Sequence, residues 1–372
     1  MKTRAAVLYD FDKPLRVEEL ELDEPKANEV LVRMMANGIC GSDLHAIKAE
    51  LPVSLPMALG HEGAGIVEKV GSAVTKVKPG DHVITVYNPF CNACEYCLTG
   101  TPYLCANWSA GTLEGILPGG DFRMRNANGD GIRQWCYLGT LSEHAVLSEM
   151  SVIKVDDDLP FAPISLVACG GATGFGAPFN RAKVQPGQSV LVLGCGGVGS
   201  FALQGARVAG ATTIIAADRN DFKLEQAKLH FGATHTINTE REDVVQRCKE
   251  LTRDGQGVNH AFEVISTPET IGQAIEATAK AGTTTIIGMM QMDHVGVPMN
   301  PTMFVALHKT LYGSLYGASI PQADFARYFD MYRSGQLKLD EAITREYTLD
   351  QVNDAFADVV NGTNLRGVVR FD

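Results

Sequence analysis

Cys91, Cys94, Cys97 and Cys105 stand in one short run, spaced Cys-x2-Cys-x2-Cys-x7-Cys, and account for four of the nine cysteines of the chain. Four thiolates this close can form a tetrahedron around one ion, the geometry of a structural zinc site with no open position. The competing use of such a run is disulfide pairing, which needs an oxidising compartment. A second set is scattered. Gly38-Ile39-Cys40-Gly41-Ser42-Asp43-Leu44-His45 and Gly60-His61-Glu62-Gly63 pack thiol, imidazole and carboxylate into glycine-flanked stretches, and Cys169 follows in Val167-Ala168-Cys169-Gly170-Gly171. Cys40, His61 and Cys169 could provide a Cys2His set, a catalytic zinc pattern that leaves one position for water or substrate. Their spacing is not local, so each also reads as an ordinary buried thiol or surface imidazole.

A third group of residues points to a nucleotide. The turn Gly194-Cys195-Gly196-Gly197-Val198-Gly199 directly follows the apolar run Ser189–Leu193 and directly precedes a helical pattern through Ala209. In that context Gly194 makes the tight turn, Gly196 admits a pyrophosphate, and Gly199 allows close helix–strand packing. The helix N-terminus offers unpaired N–H groups and a positive partial charge to the phosphates. Asp218 ends the next strand, 19 residues beyond Gly199, where a carboxylate accepts hydrogen bonds from an adenosine ribose and repels a 2′-phosphate. NAD is therefore expected over NADP, although the neighbouring Arg219 blurs the preference. Cys195 reads as a small packing residue.

Two kinds of texture must position these residues. Up to about residue 170 the chain reads as short strands broken by glycine and proline, such as Val30–Met34, Gly65–Val70 and His82–Tyr87, with turn signals like Lys78-Pro79-Gly80-Asp81. From about residue 185, strands alternate with amphipathic helices, which implies a parallel sheet covered on both faces. Helices are expected at Phe222–Phe231, Asp243–Thr252, Glu269–Ala281, Ala323–Ser334 and Leu349–Asn361, with strands at Thr213–Ala217, Ala261–Val264, Thr283–Ile287, Lys309–Gly317 and Gly367–Phe371. The simplest architecture is α/β, a β-rich domain over 1–171 and 312–372 with a doubly wound domain inserted over 172–311.

Composition bounds the function. With 372 residues, 45% hydrophobic and 20% charged, the chain is an ordinary globular one with room for two cores. Its net charge of −11 argues against nucleic acid as a partner. No stretch approaches the apolar length of a membrane span. Met1-Lys2-Thr3-Arg4 leads into a strand-like segment and not a signal peptide, so a cytoplasmic location is expected.

Taken together, the Gly-His61-Glu62 stretch, Cys40-Gly-Ser42-Asp43, the four-cysteine lobe, Cys169 with Thr173, the glycine turn, Asp218 and Asn364-Leu365-Arg366-Gly367 resemble a zinc-dependent alcohol dehydrogenase of the medium-chain dehydrogenase/reductase superfamily. The resemblance runs over essentially the whole chain and implies a GroES-like catalytic domain beside a Rossmann domain. The long stretch between Cys105 and Leu138 is similar to the liver-type and glutathione-dependent classes, and the whole is similar to actinobacterial nicotinoprotein alcohol dehydrogenases. By this resemblance the chain binds two zinc ions, one catalytic at Cys40, His61 and Cys169, and one structural at Cys91, Cys94, Cys97 and Cys105. Glu62 would lie behind the catalytic metal, Asp43 would orient the His61 ring, and Ser42 and His45 would carry the substrate proton outward. Thr173 and Val198 would contact the nicotinamide, and Gly197 belongs to the cofactor turn. Lys223 and Arg366 would meet the adenosine ribose and the pyrophosphate. Leu51, Tyr87, Tyr137, Leu138 and Met289 fall where relatives line the alcohol pocket.

The implied reaction interconverts an alcohol and its aldehyde or ketone by hydride transfer with NAD. A homodimer or homotetramer is expected, from a sheet edge at Thr283–Ile287 and Lys309–Gly317. Two enzymic alternatives are a nicotinoprotein with tightly held NAD and a thiol-dependent formaldehyde dehydrogenase, for which Arg123, Arg125 and Arg133 could anchor a carboxylate. An alternative of another class is a non-catalytic zinc- and nucleotide-binding sensor. One departure from the family pattern is Gly41, where several relatives carry a basic residue next to the first zinc ligand.

Overall fold

The computed structural model describes every residue except Ser109, Ala110, Gly119, Asp293 and Asp372. The chain packs as two compact units: residues 1–169, 320–330 and 343–372, and residues 170–319 and 331–342.

The first unit is built mainly from antiparallel strands, with parallel pairing of Ile343–Tyr347 to Arg366–Arg370 and of Met57–Ala58 to Gly131–Gln134. A small closed barrel joins Lys2–Leu8, Arg16–Leu22, Met124–Arg125, Gly131–Gln134 and Met57–Ala58. A seven-stranded sheet runs Val152–Lys154, His82–Thr85, Gly63–Val70, Glu29–Gly38, Arg366–Arg370, Ile343–Tyr347, with His144–Ser148 also paired to Glu29–Gly38. Its apolar side chains, among them Val30, Val32, Met34 and Val369, merge with those of the barrel strands into one core.

The strand Glu29–Gly38 is the organising element, because three neighbours take their register from it. Asn37 pairs with Gly63 and Gly38 with Val368. Gly38 N–H donates to Glu62 O at 2.9 Å, and Ile39 N–H to Gly367 O at 2.9 Å. This register brings the loops carrying Cys40, His61 and Glu62 to one corner, together with Arg366. Glycine at position 38 leaves room for the Glu62 carboxylate, since a Cβ there would lie 2.1 Å from Glu62 Oε2.

The second unit holds a six-stranded parallel sheet in the order His235–Asn238, Thr213–Asp218, Ser189–Leu193, Val258–Glu263, Thr278–Ile286, Thr310–Gly313. That order reverses beside Ser189–Leu193, as in doubly wound nucleotide-binding sheets. Helices Gly197–Val208, Asp221–Leu229, Val244–Leu251 and Pro268–Ala277 form the crossovers. The expected helix through Ala281 stops at Ala277. Thr278 turns to extended backbone and its hydroxyl takes the Ile275 carbonyl at 2.7 Å, so the chain passes straight into a nine-residue strand. The strand expected over Lys309–Gly317 spans only Thr310–Gly313.

Candidate metal centres and cofactor site

One donor atom from each of Cys40, His61, Glu62 and Cys169 lies within 4.8 Å of every other, and all four residues are buried. Cys40 precedes the helix Gly41–Ile47, His61 and Glu62 stand just before the strand Gly63–Val70, and Cys169 follows a 3-10 turn. The Cys169 thiol donates to Cys40, and this, with the charges of His61 and Arg366, holds Cys40 well below the ordinary thiol range despite burial. Cys169 is raised in exchange. Burial opposes a charged His61 ring, but Asp43 and Cys40 outweigh it and hold His61 well above its usual range.

The His61 ring is fixed from behind. Asp43, itself fully buried, accepts Gly60 N–H through Oδ1 at 2.9 Å and places Oδ2 3.0 Å from His61 Nδ1. The Trp135 indole N–H approaches the same nitrogen at 3.2 Å. Both cannot be satisfied by one atom. A carboxylate only accepts, so we place the proton on Nδ1, facing Asp43. In the neutral, ligating form of the ring Nε2 is then the atom with the lone pair, and it is buried with no hydrogen-bond partner among the described residues. A partnerless imidazole nitrogen between two thiols and a carboxylate is the donor chemistry of a zinc ion. Glu62 accepts from Arg366 Nη2, which also donates to Ile39 O at 3.2 Å.

The second cluster is built differently. Among Cys91, Cys94, Cys97 and Cys105, sulfur atoms approach to 3.5 Å (Cys94 to Cys97) and 3.9 Å (Cys91 to Cys97, and Cys94 to Cys105). All are free thiols, and these separations lie near the ~3.8 Å edge of a tetrahedron with zinc–sulfur bonds of about 2.3 Å. Backbone N–H groups of Ala93 and Cys94 point at Cys91 Sγ and, against a smaller burial effect, bring its thiol down to about 6. Burial pushes Cys97 up to about 12. From Cys91 to Trp108 only Pro102 and Cys105 are buried, so this lobe has almost no apolar core.

The glycine turn is a third prepared site, within the second unit. Gly194 has φ +95, and a Cβ on Gly199 would lie 1.9 Å from Gly194 O, so the turn and the helix behind it need both glycines. At the crest Gly196, Gly197 and Val198 are half-exposed. A Cβ at Gly196 would meet only Lys223 Nζ at 3.8 Å, so the crest is open with a cation over it. Asp218 Oδ2 accepts Cys195 N–H at 2.8 Å and Oδ1 accepts Asn220 N–H at 2.9 Å, which fixes the carboxylate at the strand end. Arg219 is exposed. Gly174, next to Thr173, would carry a Cβ 2.1 Å from Val198 O, so Thr173 and Val198 lie on two closely packed helices.

A family model for the alcohol dehydrogenase GroES-like domain matches residues 26–157, and one for zinc-binding dehydrogenases matches residues 197–334. The chain is 41% identical over 371 residues to an NDMA-dependent alcohol dehydrogenase of Amycolatopsis methanolica, covering 99% of each protein. The chain belongs to the zinc-dependent alcohol dehydrogenase family. It is also 38% identical to an S-(hydroxymethyl)glutathione dehydrogenase of Paracoccus denitrificans over the full length of both. The solved benzyl alcohol dehydrogenase of Acinetobacter calcoaceticus superposes with a TM-score of 0.94 at 31% identity, covering 100% of both chains. Its relatives are alcohol dehydrogenases, and the chain is accordingly an oxidoreductase.

For a member of this family, the remaining expected residues fall into different places. Tyr87 stands edge-on to the His61 ring at 5.8 Å. Tyr137 is buried and its hydroxyl donates to Trp108 O at 3.0 Å. Leu51 and Leu138 lie within the core of the first unit. Met289 belongs to the second unit and is 42% exposed. Arg123, offered as a carboxylate anchor, is not available. It is 1% exposed and grips Glu29 through two bonds of 2.8 and 2.7 Å. Arg125 and Arg133 stay at the surface.

Three partnerships escaped sequence reasoning: Trp135 with His61, Arg366 with Glu62, and His45 Nδ1 with Glu50 Oε2. No spacing rule links Trp135 or Arg366 to the loop at Gly60. Glu50 alone had a local signal, five residues beyond His45.

Proposed function

We propose that the chain is an NAD-dependent zinc alcohol dehydrogenase, with Cys40, His61 and Cys169 holding the catalytic zinc and Cys91, Cys94, Cys97 and Cys105 the structural one. The observation that carries this reading is the partnerless Nε2 of His61 among Cys40, Cys169 and Glu62. When bound, zinc would lower the acidity barrier of an alcohol O–H near neutral pH and NAD would accept the hydride. The residues of the chain do the rest. Asp43 keeps the His61 ring in its ligating orientation. Ser42 and His45 take the alcohol proton away, Asp218 and Lys223 hold the adenosine end, and Gly194, Gly196, Gly197 and Gly199 admit the pyrophosphate. Tyr87, edge-on to the His61 ring, suits a medium or bulky primary alcohol.

The relative named for NDMA dependence favours a second reading, in which NAD stays bound and an external acceptor restores it. A glutathione-dependent formaldehyde activity draws on its own named relative, but Arg123 contributes no anchor to it. The sensor reading is disfavoured by the intact Cys40, His61 and Cys169 set. One experiment separates all of these: a panel of alcohols assayed with NAD, NADP or NDMA, with and without glutathione, alongside zinc analysis and the ultraviolet spectrum of the purified protein. NAD-linked turnover with two zinc ions per chain supports the first reading. Bound nicotinamide absorbance with NDMA-only turnover supports the second, and one zinc without turnover the sensor.

A cytoplasmic location is part of the same proposal, since thiolate sites need a reducing compartment. No helix among the described residues is long and apolar enough to cross a membrane. Assembly into a homodimer or homotetramer is also proposed. The edge strand Thr310–Gly313 and the helix Pro301–Ala306 contain no buried residue, and Val305 is 77% exposed. Light scattering on the protein and on Val305→Lys measures this directly.

A further inference from the structure

The helix Gly41–Ile47 begins beside the zinc ligand Cys40 and carries Ser42 and His45, three residues apart and therefore on neighbouring positions of one face. Asp43 and Ala46 are the buried residues of the same helix, so Ser42 and His45 lie toward its accessible side. The segment after the helix then reverses. Ala49 takes φ +55, a left-handed conformation unusual for a residue with a Cβ, and Glu50 N–H donates to His45 O at 2.9 Å. The reversal brings the Glu50 carboxylate back onto His45, where Oε2 meets ring nitrogen Nδ1. The two side chains are 28% and 30% exposed, sheltered but in reach of water.

We propose that Glu50 is a positioning residue for proton transfer, acting through His45. This rests on the reading above that His45 receives the substrate proton. A carboxylate only accepts, so the pair puts the ring proton on Nδ1 and leaves the lone pair on Nε2. The ring is thereby held in one tautomer and one orientation, with the lone pair of Nε2 turned to the incoming proton. The same division of labour operates in carboxylate–histidine pairs of hydrolases. The balance closes simply. The alcohol loses its hydroxyl proton by way of Ser42 to His45 Nε2 and its carbon-bound hydride to NAD, and the imidazolium then returns its proton to water.

The test is a double-mutant cycle on the zinc-loaded enzyme, using the best primary alcohol of the panel above. Glu50→Gln keeps the shape but removes the charge. It is expected to lower kcat by about 10-fold or more, between the roughly 10- to 100-fold loss for a carboxylate behind a metal-bound histidine and the larger loss in hydrolase triads. KM, zinc content and melting temperature are expected to stay at their original values. Glu50→Asp is expected to restore part of the rate. In a His45→Ala background, Glu50→Gln is expected to add no further loss, whereas a purely structural role would give additive losses and a lower melting temperature. An unchanged kcat in Glu50→Gln beside an impaired His45→Ala overturns this inference alone, as does additivity. Full activity of His45→Ala overturns the relay itself and this inference with it.

Discussion

The two thiol clusters use the same metal-binding chemistry in opposite surroundings. Cys91, Cys94, Cys97 and Cys105 come from one short stretch, lie mostly at half-buried positions and sit in a lobe whose only buried residues are Pro102 and Cys105. An ion there would substitute for a missing core, because cross-linking four points of a loop would supply the folding free energy that apolar burial does not. Cys40, His61, Glu62 and Cys169 come from three distant stretches, are all buried, and stand next to the large core of the first unit. The fold there is already held by Glu29–Gly38 and its neighbours. What that pocket does provide is a mixed donor set with a supporting layer, Asp43 behind His61 and Arg366 beside Glu62. The all-thiol lobe is built to be closed, and the buried corner is built to be tuned.

The contrast can be broken by single substitutions. The largest effect is expected from Cys40→Ala. Turnover should fall below detection and zinc drop from two ions per chain to one, while the melting temperature and NAD binding hold. Full activity in that variant would remove the catalytic assignment. Cys97→Ser should also take zinc from two to one, but its main cost is stability. We expect the melting temperature to fall by about 5–10 °C, as loss of several kcal/mol implies for a domain of this size. An unchanged melting curve would mean that the lobe is held by something other than its ion.

Asp43→Asn should act at one remove. The ring of His61 loses its charged support, and zinc affinity or kcat should drop about 10- to 100-fold, read by competition with a chelator and by initial rates. The same substitution leaves Gly60 N–H a side-chain oxygen to donate to, so a collapse of the fold would show that Asp43 serves the loop more than the ring. The smallest effect is expected at Gly41, which is exposed and has no atom within 4 Å of a Cβ built on it. Gly41→Arg should be accommodated without loss of stability. If the missing basic residue weakens cofactor binding, the variant should tighten NAD by about fivefold, roughly 1 kcal/mol. No change in a fluorescence titration would show that the departure from the family pattern is silent.

Much of this was legible before the fold. The run Cys91 to Cys105 and the turn Gly194 to Gly199 are local: their partners lie within a few residues, so spacing alone specifies the geometry. The alternation after Ser189 likewise announces a parallel sheet, and the six strands appear in doubly wound order. Boundaries were less legible, as at Thr278, where a hydroxyl bonded to Ile275 O ends a helix that the apolar pattern would continue.

The sequence by itself determined the chemistry available: two thiol-rich sets, a glycine turn with Asp218 at the next strand end, and a net charge of −11. Only the tertiary structure decided how the scattered groups meet. Pairing of Asn37 with Gly63 and of Gly38 with Val368 brings Cys40, His61, Glu62 and Arg366 to one corner, and a shift of one residue would separate them. That register is set by the packing of whole strands, which no short spacing encodes. The same holds for Trp135 at His61 and for Arg123, drawn from a surface loop into a buried pair with Glu29. Residue types carry chemical capacity along the chain, but proximity between distant residues belongs to the folded core.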